Sequence, residues 1–152
     1  MSCLNSNKKP NVVFIFLSII SLNSQLKNHE GKIKLEIKIL NIKSEGDMYF
    51  AMYDNEKNFN GTDESADLML LAKKEKVFNK NHKMKIFVKQ SKVAIKVYID
   101  KNYNKKFDLN FFGLPKEQYG FSNDASGLFG PPSFKQASFD IKNDSLIIIN
   151  MK

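Results

Sequence analysis

The chain has 152 residues, of which 42% are hydrophobic, and this is enough for one domain with its own core. The formal charge at pH 7 is +8, and all 24 basic residues are lysines. Recognition of bases and phosphates favours the arginine fork, and these lysines are dispersed among apolar residues, so the composition argues against a nucleic-acid-binding protein.

The N-terminal segment has the layout of a secretory signal peptide. Two lysines precede an apolar run over residues 12–20, and mostly small, polar residues follow. The run is shorter than the stretch of apolar residues that a transmembrane helix needs to cross a bilayer. We therefore expect residues 1–24 to be a signal peptide and residues 25–152 to be a single exported domain, periplasmic or secreted, with no membrane span; an uncleaved anchor is the alternative. Cleavage would remove Cys3, the sole cysteine, and with it any disulfide or zinc–sulfur site.

Alternation of apolar and polar residues predicts most of the secondary structure. In Lys32 to Ile39 every second residue is apolar, the pattern of a strand with one buried face. A second strand is predicted over Asp47 to Tyr53, and a short polar turn between the two favours a hairpin. Further strands are predicted over Leu68–Phe78, Lys83–Lys89, Lys92–Asp100, 134–142 and 145–152. The last two are expected to pair as a hairpin around an Asn143-Asp144 turn.

These segments predict about seven strands and no helix beyond the signal peptide. The expected fold is all-β, an antiparallel immunoglobulin-like or transthyretin-like β-sandwich. The polar stretch over residues 54–67 is expected to be a surface loop, and His82 to lie in a turn. The connection from Asp100 to about Pro132 is much longer than usual, and such loops are often ordered and functional.

The start of this long loop has the spacing of a calcium-binding loop. Side-chain oxygens at alternate positions can turn inward together, as hard cations require. The candidate ligands are Asp100, Asn102, Asn104, the carbonyl of Lys106, and Asp108. Lys105 stands where the turn prefers glycine, and Phe111 where an EF-hand has glutamate; Glu117 or Asp124 could supply a last ligand. The alternative is a turn held by side-chain-to-backbone hydrogen bonds.

The second half of the loop is rich in aromatic residues and glycines. Phe112, Tyr119 and Phe121 are candidate ligand-binding residues, because exposed rings can stack on a sugar or contact a peptide. Glycines and prolines in the same stretch also allow the loop to fold back on the sandwich. In that alternative the aromatic side chains are packed rather than presented.

The stretch "NFFGLPKEQYGFSNDASGLFGPPSF", preceded by "VAIKVYID" and "DKNYNKKFD", closely resembles the bacterial family DUF2141. The hairpin-like "GDMYFAMYDNEKNF" is similar to the usual start of that family. Members more often carry glycine at the position of Lys105. The resemblance implies a secreted or periplasmic β-domain and implies no activity.

The sequence contains no pattern typical of a catalytic site. His29 and His82 have no nucleophile nearby in the sequence, and no G-x-S-x-G, phosphate-binding loop or H-E-x-x-H motif occurs. We therefore expect a non-catalytic binding or accessory module whose partner is a cell-envelope glycan or protein, with calcium as a stabilising cofactor. The alternatives are a carbohydrate- or peptide-binding module that uses the aromatic loop, and a hydrolase that uses the loop carboxylates.

Overall fold

A computed structural model describes residues 31–61, 68–78, 80–128 and 130–152. The expected signal peptide, Cys3 and His29 lie outside the described residues. Residues 32–152 form one compact unit. In the described part of the chain, no helix is long and apolar enough to cross a membrane.

The described residues form eight strands and two short helices. The strands are β1 (Ile33–Ile42), β2 (Gly46–Tyr53), β3 (Leu71–Val77), β4 (Lys80–Val88), β5 (Ser91–Asp100), β6 (Tyr119–Phe121), β7 (Phe139–Ile141) and β8 (Ser145–Asn150). The helices are α1 (Glu56–Asn60) and α2 (Phe134–Ala137). The expectation that the domain lacks helices is therefore wrong, although the mostly-β class is confirmed.

The strands form two open sheets. One has the order β4-β1-β8, and the other has the order β3-β2-β5-β6, with β7 also paired to β5. All pairs are antiparallel except β1 and β8, which run parallel, so the purely antiparallel arrangement is wrong. Inward side chains of both sheets meet in one buried cluster, which includes Leu35, Ile37, Phe50, Ile95 and Ile149. Burial of these apolar side chains is the main force that holds the sheets together.

Both predicted hairpins are wrong, because the chain changes sheet at each turn. β1 pairs with β4 and β8, whereas β2 pairs with β3 and β5. Gly46 permits the first crossing: a Cβ there would lie 2.6 Å from the carbonyl oxygen of Asp100. At the second crossing β7 pairs with β5, and β8 joins β1. Alternation predicts that each strand buries one face. Two consecutive strands can bury those faces equally well as neighbours in one sheet or as members of two facing sheets, so alternation does not predict a hairpin.

Two further local expectations are corrected. Residues 54–61 do not form an open loop, because Asn55 caps α1 and places Phe59, which is 1% exposed, against the outer face of the larger sheet. His82 lies in β4 opposite Ile39, not in a turn. Its Nε2 lies 2.7 Å from the Oε2 of Glu75 in β3.

The outer face of the five-stranded sheet is partly covered. Phe121, Phe59 and Ala137 belong to a second buried cluster beneath α1 and α2. A capping box at Ser133 and Gln136 fixes the start of α2, which replaces the first half of a predicted strand. Among the described residues, the second cluster includes no residue of β3.

Candidate functional site

Asp100 organises the turn that follows β5. Its side chain is fully buried, and its two carboxylate oxygens accept the backbone N–H groups of Asn104 (3.2 Å) and Lys105 (2.7 Å). A buried carboxylate needs such donors to offset its lost hydration. The turn is therefore built around the acid at its first position, as the spacing predicts.

The other predicted metal-site residues converge on Asp108. The Nδ2 groups of Asn102 and Asn104 donate to its Oδ2 at 2.7 and 2.8 Å. The Oδ1 of Asn102 accepts the N–H of Asn104, and the Oδ1 of Asn104 accepts that of Lys106. The structure thus brings the predicted side chains into one network, held by the side-chain-to-backbone bonds of the alternative interpretation.

Glu117 closes this network from the far side of the loop. It is 4% exposed, and its two oxygens accept the N–H groups of Lys101 (3.1 Å) and Asp108 (3.3 Å). Burial raises the pKa of Glu117, and the charges of Asp100 and Asp108 raise it further, although the two backbone donors oppose this. Asp124, the other acid considered as a last ligand, instead accepts hydrogen bonds from Asn150.

A metal at this network would need amide or carbonyl ligands in addition to the acids. Within the ranges that the structure describes, no three His, Cys, Asp or Glu side chains are arranged to hold a metal ion. Calcium accepts amide and carbonyl oxygens, and Asn102 and Asn104 carry two amide groups beside Asp108. The donor set is therefore of the oxygen type that suits calcium.

The three candidate aromatic residues have different surroundings. Phe121 is 8% exposed and packs in the cluster beneath the helices. Tyr119 is partly buried, with its ring centroid 5.9 Å from that of Phe121. Phe112 is 82% exposed, and its ring contacts that of Phe111. Tyr119 and Phe121 are thus packed, and Phe112 is presented to solvent.

A ladder of tyrosines crosses the outer face of the larger sheet. Tyr49, Tyr98 and Tyr119 are aligned in register on β2, β5 and β6. The rings of Tyr49 and Tyr98 stack 4.8 Å apart, and Phe107 packs against Tyr98 and Tyr119. On the β3 side, Lys74 lies over Tyr49, with its Nζ 5.2 Å from the ring centroid.

An open groove of about 510 Å³ lies beside this ladder. Its lining includes Ala51 and the rings of Tyr49, Tyr53 and Tyr98. The lysines that line it are Lys73, Lys74, Lys96 and Lys105, and no acid is among the described lining residues. Asp47 lies next to it and binds Lys74 at 2.7 Å, and this hydrogen bond is the main cause of the raised pKa of Lys74.

The groove was not predicted from the sequence. Alternation indicates that Tyr49, Tyr98 and Lys96 face away from the core, so the outward residues of each strand were identifiable. Their assembly into one surface depends on β2 lying between β3 and β5, which alternation does not specify.

These features define a small β-domain with a polar loop held by side-chain hydrogen bonds and with a groove lined by aromatic and basic residues. The chain belongs to the family described as "uncharacterized protein conserved in bacteria" (DUF2141), whose model matches residues 36–148. The match includes the groove, the acid–amide network and both helices. No curated protein and no solved structure matches the chain.

Proposed function

We propose that this chain is an exported, non-catalytic binding module of the bacterial cell envelope, and that its ligand occupies the groove on the outer face of the five-stranded sheet. The observation that carries the proposal is the lining of the groove, with tyrosines and lysines but no acid among the described residues. Tyrosine combines an apolar ring with a hydroxyl group, and lysine supplies positive charge. This chemistry suits an extended ligand that carries carboxylates, such as an acidic oligosaccharide or an acidic peptide.

The surroundings of the loop carboxylates support a non-catalytic role. Asp100 and Glu117 are both buried, and each accepts two backbone N–H groups. A catalytic acid and base must instead reach the substrate.

The proposal also includes export of the domain by residues 1–24, as a signal peptide, and an immunoglobulin-like arrangement of the two sheets.

Binding can be tested by following backbone amide NMR signals during titration with two probes, an oligogalacturonate and a polyglutamate peptide. We expect at least one probe to shift the amides around Ala51 and Lys96. Substitution of Lys74→Gln together with Lys96→Gln should weaken binding about fivefold or more, because two positive charges that line the groove are removed.

Lys38→Gln together with Lys85→Gln is the matched control, since these lysines lie on the strands of the other sheet. This control should bind as the wild type does. The proposal fails if neither probe shifts the groove amides, or if both pairs of substitutions weaken binding equally.

We also propose that calcium stabilises the loop from Asp100 to Glu117. Three carboxylates lie in this loop together with the amide side chains of Asn102 and Asn104, and the mutual repulsion of the acids contributes to the raised pKa of Glu117. A divalent cation would neutralise that repulsion. Affinity is expected at the weak, extracellular end of the calcium range, about 0.1–1 mM.

Thermal unfolding with and without about 5 mM calcium tests this proposal, since a ligand of the folded state raises the Tm. Asp108→Asn should abolish the rise, whereas Asp140→Asn, a change of an exposed acid on β7, should preserve it. The calcium proposal is overturned if the wild type shows no rise.

A further inference from the structure

We propose that the tip of the long connection, residues Leu109–Leu114, inserts into the surface of an anionic phospholipid bilayer. The residues of this tip are not among those that line the groove, so this proposal does not rest on the function proposed above.

The tip exposes large apolar side chains to an unusual degree. Phe111 is 97% exposed and Phe112 is 82% exposed, and Leu109 and Leu114 are at least half exposed. Phenylalanine is normally among the more buried residues, and contiguous exposed apolar side chains commonly mark a protein or membrane contact. Four such side chains in six residues form the most exposed apolar segment in the described part of the chain.

The backbone of the tip is already folded for insertion. The N–H of Asn110 donates to the carbonyl of Leu114 at 2.8 Å, and the N–H of Gly113 donates to the carbonyl of Asn110 at 2.9 Å. The Oδ1 of Asn110 accepts the N–H groups of Phe112 and Leu114, both at 2.9 Å. Backbone donors that are satisfied internally can leave water at low cost, which is a condition for entry into an apolar layer.

The base of the tip is anchored to the sheet. Leu109 and Pro115 form an antiparallel bridge, and the N–H of Lys116 donates to the carbonyl of Asp108 at 2.9 Å. The N–H of Ile99 in β5 donates to the carbonyl of Gln118, also at 2.9 Å. The tip is therefore a preorganised projection, and little conformational entropy would be lost when it binds.

The charges around the tip favour an anionic partner. The lysines of this loop, Lys101, Lys105, Lys106 and Lys116, are all exposed to solvent. Asp100 and Glu117 are buried, and Asp108 accepts two amide donors. Lysines beside an inserted apolar segment are attracted to anionic headgroups, whereas a second copy of the chain would bring the same positive charges into contact.

Intrinsic fluorescence provides a direct test because the chain contains no tryptophan. Phe112→Trp places a single tryptophan at the tip, and tryptophan can be excited at wavelengths that the five tyrosines absorb little. On addition of vesicles of equal parts phosphatidylglycerol and phosphatidylcholine, we expect a blue shift of its emission and quenching by brominated acyl chains. Phe87→Trp, on a strand of the smaller sheet, should show neither change.

Vesicle co-sedimentation provides the second measurement. Phe111→Ala together with Phe112→Ala should weaken binding about tenfold or more, because two apolar side chains no longer enter the bilayer. Phe87→Ala should bind as the wild type does. The tip variant should retain the wild-type Tm, since the side chains of Phe111 and Phe112 contribute little to the core.

Three outcomes would overturn the proposal. The first is an unchanged emission spectrum of Phe112→Trp with anionic vesicles. The second is equal binding to vesicles of phosphatidylcholine alone, which would remove the role of the lysines. The third is a blue shift without vesicles that accompanies dimerisation in sedimentation equilibrium, which would assign the tip to a second copy of the chain.

Discussion

Lys105 has a backbone φ of 65°, in the left-handed region, at the sharp turn after β5. A side chain with a Cβ is strained in this conformation, whereas glycine is not. Its N–H donates to Asp100 at 2.7 Å, so the turn requires this φ whatever residue stands there. This explains physically why the sequence position favours glycine.

Lys105→Gly should therefore raise the free energy of unfolding by about 0.5–1 kcal/mol. Glycine relieves the backbone strain of the folded state, and the greater conformational entropy that it gives the unfolded chain offsets part of this gain. Urea unfolding measures the change. Lys106→Gly, at the neighbouring residue without a positive φ, should instead lower stability by a few tenths of a kcal/mol or more. Equal effects of the two substitutions would contradict this account of the turn.

Glu117 should make the stability of the domain depend on pH. Its pKa is raised in the folded state above the ordinary value of 4.5, mainly by burial. Its contribution to stability is therefore fully present below about pH 4.5 and is lost as the pH rises through the folded pKa. Glu117→Gln removes the titrating group and with it this dependence.

Urea unfolding between pH 4 and pH 7 should show wild type losing stability relative to Glu117→Gln as the pH rises. Glu45→Gln, a change of an exposed acid, should preserve the wild-type dependence. A constant difference between wild type and Glu117→Gln across this range would show that the carboxylate titrates alike in the folded and unfolded chain.

At the scale of elements, Ser122 joins β5 to α2. Its side chain is fully buried, and its Oγ accepts the N–H of Ile95 at 2.8 Å and donates to the carbonyl of Ala137 at 2.6 Å. Ser122→Ala would leave two buried backbone groups without this partner. We expect a loss of about 2–4 kcal/mol in the free energy of unfolding.

Ser126→Ala is the control, because Ser126 is exposed, and it should change stability by about 0.5 kcal/mol at most. Thermal or urea unfolding of the two variants gives the comparison. A Ser122→Ala loss as small as that of the control would mean that α2 does not depend on this bridge.

The elements also show what alternation can and cannot predict. The inward residues of β1, β4 and β5 were predicted correctly, since Ile37, Ile86 and Ile95 are all buried. Both predicted hairpins failed, because period-two alternation identifies the buried face of a strand but not the sheet that it joins. Helix α1 was not predicted because it has only five residues, all polar except Phe59. A segment of that length is too short to show a helical period.

For the candidate site, too, contacts between residues close in sequence could be anticipated from the sequence, and contacts between distant residues could not. Asn102, Asn104 and Asp108 are joined by hydrogen bonds because a tight turn brings together residues that are close in sequence, and their role as metal ligands stays a prediction. The role of Glu117 depends on the loop returning to Asp108, and the groove depends on the order of β3, β2 and β5. Neither long-range contact has a signature in the local sequence.

At the scale of the whole molecule, Gly120 lies where β6 packs against the C-terminal strand of the other sheet. A Cβ there would lie 2.7 Å from the Cγ2 of Ile149 and 3.2 Å from the carbonyl oxygen of Asn150. Gly120→Ala should therefore lower the free energy of unfolding by about 1–3 kcal/mol, because the two sheets must separate locally to admit the methyl group.

Gly130→Ala is the matched control, since a Cβ at that position has no neighbour within 4 Å among the described residues. It should change stability far less in the same urea titration. Equal losses for the two substitutions would argue against close contact of β6 with β8.

The central claim is that the long segment after β5 is an ordered part of the domain, folded around buried carboxylates, on which both proposed binding surfaces depend. Amide hydrogen exchange tests it directly at Asn104 and Lys105, which donate to Asp100, and at Lys116, which donates to Asp108. We expect these amides to exchange about a hundredfold or more slowly than in an unstructured peptide. Exchange at the unstructured rate, in a protein whose β5 amides are protected, would contradict the account.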